Sequence, residues 1–394
     1  MELGSGVQFL EEKTMLVTVF VEKILRVQPN LKRFYLLIRA ADATSARERL
    51  HDEVIGKDHL FRVLREKRGA SLHSFTSEKA TPVPGVISDE DLGVKDSSLK
   101  DEMWREIDGV LNFAATTNFD ERYDVALDIN TMGALHVLDF AKKCVNIKML
   151  VHVSTAYVCG EDAGIILEEP FPMGKAKKGT NKSDIGIENK LVKEKLYQLQ
   201  LESSPECDVS SAMKDFGFER NIDSLIAGYG KGSLKCFISK PKSDIDICGT
   251  QLNEYVILQK PAGMVVIAII VAMVAHAGQK NSGIIYHVGF SKHRDACAVL
   301  DRKLKLLRRL TDLFKPYVLF EGIFDDKNSE KLQIASRKTC PETNVFNFDP
   351  TSIDWEDYMM NAHIPGVVKL YGKCVDSLVY VYCRDFVTPA CSRR

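Results

Sequence analysis

The first 160 residues alternate short apolar runs with longer segments of helical period, and this alternation constrains the fold more than any other feature. Strands are predicted at residues 15–17, 34–38, 110–115 and 149–153, with helical segments between them. Neighbouring parallel strands need crossover connections, and helical crossovers cover both faces of the sheet. The pattern therefore predicts an α/β protein with a Rossmann-like, doubly wound parallel sheet.

Several helices in this part have their own sequence signatures. Ser45 and Glu48 have the spacing of a capping box, which marks the start of a helix. Residues 100–107 and 130–143 continue the alternation, and a segment rich in Glu, Lys and Leu predicts a helix at 188–202.

Beyond Gly160 the alternation weakens, and residues 203–260 are predicted to be irregular. The uncharged stretch at residues 261–275 is shorter than the roughly 18 to 20 apolar residues that a bilayer span requires. We therefore expect a buried helix there. A basic amphipathic helix is predicted at 300–314, and two interpretations of it stay open. It packs on a core with a solvated basic face, or it lies on an anionic membrane surface.

These patterns predict three parts of the chain. Residues 1–299 form an incomplete Rossmann-like domain, and residues 300–370 form a smaller, mainly helical C-terminal domain. Residues 371–394 form an atypical tail.

Charge and cysteine usage exclude several classes of function. Lys and Arg total 53 against 54 Asp and Glu, so no basic field favours nucleic acid as a partner. The 10 cysteines are scattered without a CxxC pair, which predicts reduced thiols and no metal site. The acidic N-terminus resembles neither a signal peptide nor a transit peptide, so a cytoplasmic protein is expected.

Three polar residues follow predicted strands at the sheet edge where ligands bind in open α/β folds. Ser154 and Thr155 follow the strand at 149–153. A hydroxyl there can donate to a carbonyl oxygen on which negative charge develops, or it can bond only to backbone. Arg39 closes the second strand, where it can contact the 2′-phosphate of NADP or remain solvated.

The glycines of a dinucleotide site are missing between the first predicted strand and the first helix. Such glycines let backbone amides and a helix N-terminus approach the pyrophosphate. Thr18 is followed directly by Val19, and Gly4 and Gly6 precede the predicted strand.

Five ordered blocks closely resemble the plant alcohol-forming fatty acyl-CoA reductases, also called male-sterility-type proteins. The resemblance covers most of residues 7–369. The blocks are LLIRA at 36–40, TPVPG at 81–85, NFAATTNFD at 112–120, VSTAYVCG at 153–160 and IDWEDY at 353–358.

The resemblance implies an extended short-chain dehydrogenase/reductase that uses NADPH to reduce a long-chain fatty acyl-CoA to a primary alcohol. CoA is released, and the alcohol serves wax or suberin synthesis. The resemblance also implies roles for six residues of this chain. Thr155 and the adjacent Ser154 hold the carbonyl, Arg39 contacts the 2′-phosphate, and the nucleotide is lined by Thr18, Ala114 and Ala115. Peripheral association with the endoplasmic reticulum is compatible with such substrates.

The chain departs from this family at positions that matter for catalysis. The Gly-rich loop is absent after Thr18, and Val86 stands where the family has an acid. No tyrosine is followed by Lys four residues later, so the pair that supplies and tunes the proton is missing. Residues 212–220 pass directly to a segment that lies well downstream in the family, and a further stretch is lost after Gly289.

These losses predict weak NADPH binding and negligible turnover. The alternative function is a catalytically inactive pseudoenzyme or truncated product that at most binds lipid, a membrane or an active paralogue.

Overall fold

A parallel sheet with helices on both faces organises the computed structural model. The structure describes residues 5–10, 15–56, 60–116, 121–155, 164–168, 185–201, 209–217, 234–239, 262–276, 284–288, 322–339, 347–354, 357–363 and 365. The strands are β1 Ser5–Leu10, β2 Phe34–Ile38, β3 Ala80–Pro84, β4 Ile107–Asn112, β5 Met149–Thr155, β6 Gly164–Ile166, β7 Leu234–Ser239, β8 Ile284–Val288 and β9 Gly322–Phe324.

The helices follow the strands in alternation through the first half of the chain. They are α1 Met15–Val27, α2 Ala43–Arg49, α3 Arg62–Arg68, α4 Leu72–Lys79, α5 Ser97–Glu106, α6 Tyr123–Ala126, α7 Gly133–Lys143, α8 Ile185–Leu201, α9 at 209–217, α10 Ala262–His276 and α11 Lys327–Thr339. A π-helical turn at Leu50–Ile55 extends α2, and another at Leu127–Met132 joins α6 to α7.

The seven-stranded sheet has the order β3-β2-β1-β4-β5-β7-β8. Its first five strands are parallel, whereas β7 runs antiparallel to both β5 and β8. The order reverses between β1 and β4, which makes a topological switch point. The predicted Rossmann-like α/β fold is therefore confirmed.

One hydrophobic core lies on each face of this sheet, because side chains alternate along each strand. Leu36, Leu111 and Val151 pack in the core that includes α1 and α10. Leu37 and Val110 pack in the other core, against α5 and α7. In helix α10, Val265–Ile270, Ala272 and Met273 are buried and Val271 is partly buried, so the buried helix predicted at 261–275 is confirmed.

The prediction of a first strand at residues 15–17 is wrong. Those residues begin helix α1, and the strand between β2 and β4 is Ser5–Leu10. Val17, Phe20, Val21 and Ile24 are each no more than 5% exposed and lie on one helical face. Because no turn residue separates Thr18 from Val19, the helical period extends back through the segment.

Two further sequence predictions are corrected by the structure. Helix α2 begins before the predicted start, with Asp42 as its N-cap. The Asp42 carboxylate accepts the Ser45 N–H at 2.8 Å, and Ser45 Oγ accepts the Asp42 N–H at 3.2 Å. Ser45 is thus at the N3 position of the capping box, not at its N-cap. The segment 203–260, expected to be irregular, includes α9 and β7. The helix predicted at 300–314 lies outside the described residues.

A small second sheet joins distant parts of the chain. Strands β6 and β9 pair in parallel, and the Asp325 N–H donates to the Ile166 carbonyl at 2.8 Å. The buried Glu168 carboxylate accepts the Asn328 N–H at 2.5 Å, at the start of helix α11. An acidic side chain at that helix end satisfies a backbone donor that has no partner within the helix.

The chain divides into two units, residues 1–348 and residues 349–394. The first contains both sheets and helices α1 to α11. In the second, the Asp349 carboxylate accepts the Thr351 N–H at 2.9 Å at the short helical turn Pro350–Ser352. A π-helical turn follows at Tyr358–His363. The predicted domains 1–299 and 300–370 and the tail 371–394 stay a prediction.

Candidate active site

The candidate site lies at the carboxyl edge of the seven-stranded sheet, beside the switch point between β1 and β4. Strands β2, β4 and β5 all end at this edge. Ligands of open α/β sheets bind there, because the loops and helix N-termini that follow the strands converge on it.

Two buried polar side chains connect β4 to β5 at this edge. Asn112 and His152 are opposite each other in the register of the two strands. Asn112 is 1% exposed and His152 is 5% exposed. The Asn112 Nδ2 atom lies 3.1 Å from His152 Nδ1, and Asn112 Oδ1 accepts the Ala114 N–H at 2.9 Å. Burial lowers the pKa of His152 to about 4, so the imidazole is neutral at pH 7.

The turn that follows β4 is held by a second amide. Asn130 Oδ1 accepts the Thr116 N–H at 2.8 Å, and Asn130 is 5% exposed. Ala114 and Ala115, which lie between these two fixed points, are 7% and 6% exposed. Small side chains on a fixed backbone leave room for a nucleotide to approach the sheet edge, so this part of the site fits the cofactor that the sequence predicts.

Arg39 directly follows β2, as predicted. Its backbone carbonyl accepts a hydrogen bond from the Arg49 guanidinium, and Arg49 also pairs with Glu53 at 2.8 Å. The Arg39 side chain is half-buried at the carboxyl edge. A guanidinium in this place fits a 2′-phosphate, since it can offer several donors to phosphate oxygens.

Ser154 and Thr155 are the last two residues of β5. They are opposite Lys235 and Leu234 of the antiparallel strand β7. The structure therefore brings their backbone to the same edge as Asn112 and Arg39. Their roles in holding a carbonyl stay a prediction.

Thr18 does not lie at a strand end. It lies within helix α1 and is 6% exposed, because the helix begins at Met15. The four residues between β1 and α1 are Glu11, Glu12, Lys13 and Thr14, and none of them is glycine. The sequence therefore supplies no glycine for a pyrophosphate between β1 and α1, just as it supplies none after Thr18.

A buried tyrosine near this site has an acid as its partner. The Tyr123 hydroxyl donates to Glu188 Oε2 at 3.0 Å, and both side chains are buried. Tyr123 also packs edge-on against Phe216 of α9. This arrangement does not replace a Tyr–Lys pair, because a carboxylate cannot donate the positive charge that lowers a phenol pKa.

Sequence reasoning missed Asn112, His152 and Asn130. The available signal was a polar residue inside each of two apolar strand runs, NFAA at 112–115 and VHVS at 151–154. Buried polar side chains in strands need partners, and here adjacent strands supply them to each other.

Comparisons with known proteins identify the family. Two family models, each described as Male sterility protein, match the chain: an NAD-binding model matches residues 15–206, and a second model matches residues 266–374. An alcohol-forming fatty acyl-CoA reductase of Simmondsia chinensis is 39% identical, with 93% of this chain and 99% of that protein covered. The chain belongs to the male-sterility family of fatty acyl-CoA reductases.

Other fatty acyl-CoA reductases agree with this assignment. Two Arabidopsis thaliana proteins, probable fatty acyl-CoA reductase 4 and fatty acyl-CoA reductase 1, are each 38% identical over 92% of this chain and 98% of their own lengths. Members of this family are oxidoreductases, and a nicotinamide cofactor accompanies the NAD-binding part.

The alignment with the Simmondsia reductase also locates the family's missing material inside the chain. It spans 500 positions, 106 more than the 394 residues of this chain. At least that many positions therefore have no residue of this chain opposite them. Internal losses of this size agree with the absent Gly-rich loop and Tyr–Lys helix.

The solved structures that resemble this chain include reductase domains of peptide synthetases. The reductase domain of a non-ribosomal peptide synthetase from Mycobacterium tuberculosis is 14% identical, with a TM-score of 0.47 and 93% of each chain covered. The terminal reductase domain of the myxalamid pathway is 15% identical, with a TM-score of 0.46 and 92% of each chain covered.

Within the described ranges, no helix combines the length and the apolar character needed to cross a membrane.

Proposed function

We propose that this protein is a slow, NADPH-dependent reductase that converts long-chain fatty acyl-CoA to a primary alcohol and free CoA. The observation that carries the proposal is the 39% identity to an alcohol-forming fatty acyl-CoA reductase over 99% of that relative. The fixed turn at Ala114 and the position of Arg39 after β2 support it. The product class fits wax- or suberin-type lipid synthesis.

The reaction takes two reductions. Bound NADPH would supply the hydride for each: in the first the C–S bond would break and CoA would leave, and in the second the aldehyde would become the alcohol. One acyl-CoA therefore consumes two NADPH and two protons. Ser154 and Thr155 donate hydrogen bonds to the carbonyl oxygen as charge develops on it. Arg39 binds the 2′-phosphate, and the backbone of Ala114 and Ala115 lines the nucleotide.

Turnover is slow because two parts of the family's machinery are missing. A positioned general acid contributes about 10²- to 10⁴-fold in rate, and this chain has no tyrosine followed by Lys four residues later. The Gly-rich loop that would bind the pyrophosphate is absent after Thr18, which weakens affinity for the cofactor.

The same absences favour a second candidate function. A chain without the proton donor acts as a pseudoenzyme that binds acyl chains, the surface of the endoplasmic reticulum or an active paralogue. Peripheral membrane association belongs to this candidate and is also compatible with the first.

Product analysis separates the two candidates. The purified full chain is incubated with palmitoyl-CoA and NADPH, beside the Simmondsia reductase at equal concentration, and hexadecanol is measured by mass spectrometry. We expect hexadecanol at a rate at least about 10²-fold below that of the relative, because the general acid is absent. A Thr155→Val variant provides the control for site-dependent product. Product at the level of the protein-free blank refutes the reductase proposal and leaves the pseudoenzyme.

Cofactor choice gives a separate prediction for Arg39. We expect Arg39→Gln to raise the Kd for NADPH about tenfold and to leave the Kd for NADH unchanged, since only NADPH has the 2′-phosphate. Fluorescence titration measures both constants. Arg47→Gln, on the exposed side of α2, is the matched control. Equal weakening of both cofactors, or of neither, contradicts the role assigned to Arg39.

A further inference from the structure

The protonation state of His152 follows from the hydrogen bonds around Asn112. Asn112 Oδ1 accepts the Ala114 N–H, which fixes the orientation of the side-chain amide. Its Nδ2 group must then donate to His152 Nδ1, 3.1 Å away. Since Nδ1 accepts, the proton of the neutral imidazole is on Nε2.

The His152 Nε2–H group is buried and has no hydrogen-bond partner among the residues that the structure describes. A buried donor without a partner disfavours folding. A histidine at this position must therefore serve a purpose that an apolar residue could not serve. A leucine at this position would fill the core without that penalty. What it would not provide is an acceptor for Asn112 Nδ2.

We propose that Asn112 and His152 are positioning residues that hold the Ala114–Ala115 turn in a fixed place against the end of β5. This inference rests on the proposed function, because Ala114 and Ala115 are the residues that line the nucleotide. His152 acts through Asn112, and Asn112 acts on the Ala114 backbone.

The geometry distinguishes this role from a local turn. A bond from an asparagine side chain to a backbone N–H two residues later can form within one segment of chain. Here the other end of the same amide is held by the neighbouring strand, because Asn112 and His152 are opposite in the register of β4 and β5. Without His152, Asn112 Nδ2 loses its acceptor on β5, and the Ala114 N–H alone holds the amide.

The pair also connects the two halves of the candidate site. Asn112 ends β4, two residues before Ala114, and His152 precedes Ser154 by two residues in β5. A displacement of one side chain therefore changes the separation between the nucleotide-lining turn and the strand end that holds the carbonyl. Catalytic geometry is sensitive to displacements of about 1 Å.

Amide hydrogen exchange at Ala114 tests the proposal in the cofactor-free protein. We expect His152→Leu to accelerate exchange at Ala114 about tenfold at constant global stability. His152→Gln is expected to restore it, because the Gln oxygen can accept from Asn112. Tyr35→Phe is the matched control, since its hydroxyl is buried at the opposite end of the sheet and donates to Glu102 or Glu106 at 3.0 Å. Unchanged protection of Ala114 in His152→Leu, or equal acceleration in Tyr35→Phe, overturns the proposal.

A second measurement covers the case in which His152→Leu does not fold. Imidazole ¹⁵N spectra of the wild-type chain are expected to show the proton of His152 on Nε2. Asn112→Asp cannot donate to Nδ1, so the proton is expected to move to Nδ1 in that variant. A wild-type His152 with its proton on Nδ1 overturns the proposal.

NADPH titration of the same variants separates this inference from the proposed function. We expect weaker NADPH binding in His152→Leu, and wild-type binding in His152→Gln and Tyr35→Phe. If Ala114 exchange responds as expected but the wild-type chain binds no NADPH, the positioning pair stands and the cofactor proposal fails. If NADPH binds and Ala114 exchange does not respond, the cofactor proposal stands and the proposed positioning role of Asn112 and His152 fails.

Discussion

Lowering the pH from 7 to 4 is expected to reduce the free energy of unfolding by about 3 kcal/mol more in the wild-type chain than in His152→Gln. Burial lowers the pKa of His152 from 6.5 to about 4 in the folded protein. Between these values the unfolded chain binds a proton that the folded chain does not. Stability due to the neutral imidazole is therefore complete above pH 6.5 and is lost as the pH falls toward 4, at about 1.4 kcal/mol per pH unit.

Urea unfolding at a series of pH values measures this effect. The carboxylates contribute equally to both chains, so the difference between wild type and His152→Gln isolates the histidine. Val110→Ala, in the neighbouring strand β4, loses core packing but keeps His152, and it should retain the wild-type slope. Parallel curves for wild type and His152→Gln between pH 6.5 and 4 would show that His152 is protonated as readily in the folded state as in the unfolded state.

The same histidine shows what the sequence could and could not predict. Period-2 and period-3.6 patterns predicted β2 at its observed bounds and placed α5, α7 and α8 within a few residues of theirs. These elements form because their apolar residues repeat at the period of the element that buries them. A polar residue inside an apolar run has no such period, and its partner lies on another strand.

The prediction of a first strand at residues 15–17 is wrong for a related reason. Met15–Val17 is apolar and β-branched in part, and this local composition by itself predicts a strand. The burial of Val17, Phe20, Val21 and Ile24 on one face shows that helical packing against the sheet determines this segment. Local propensity is outweighed when a longer apolar periodicity runs through the same residues.

The sequence predicts a site residue only where a polar residue directly follows, or ends, a single recognisable strand. Arg39, Ser154 and Thr155 lie at the carboxyl edge because strand ends in a parallel sheet meet there. Thr18 was misplaced together with its strand. The contact of Glu168 with the start of α11 joins residues 160 positions apart, and no local pattern indicates such a pairing.

Replacing Ile270 with Ala is expected to destabilise the first unit by about 2–5 kcal/mol. Ile270 is 0% exposed in α10, and the core around it includes Val17 and Phe20 of α1 and Leu332 of α11. Truncation leaves a cavity between these helices, and a close-packed core collapses only partly around it.

This variant also tests whether the two family-matched regions fold together. Helix α1 belongs to the region matched at 15–206, whereas Ile270 and α11 belong to the region matched at 266–374. Because the three helices share one core, we expect one cooperative transition in circular dichroism and in the fluorescence of Trp104, with both midpoints lowered equally. All chains carry Trp355→Phe, so that Trp104 is the only tryptophan. Ile334→Ala is the matched control, since Ile334 is 46% exposed on α11 and its loss is expected to cost about 0.5 kcal/mol or less.

A midpoint that falls by circular dichroism while Trp104, on α5 in the opposite core, keeps its wild-type midpoint would mean that the C-terminal region unfolds by itself.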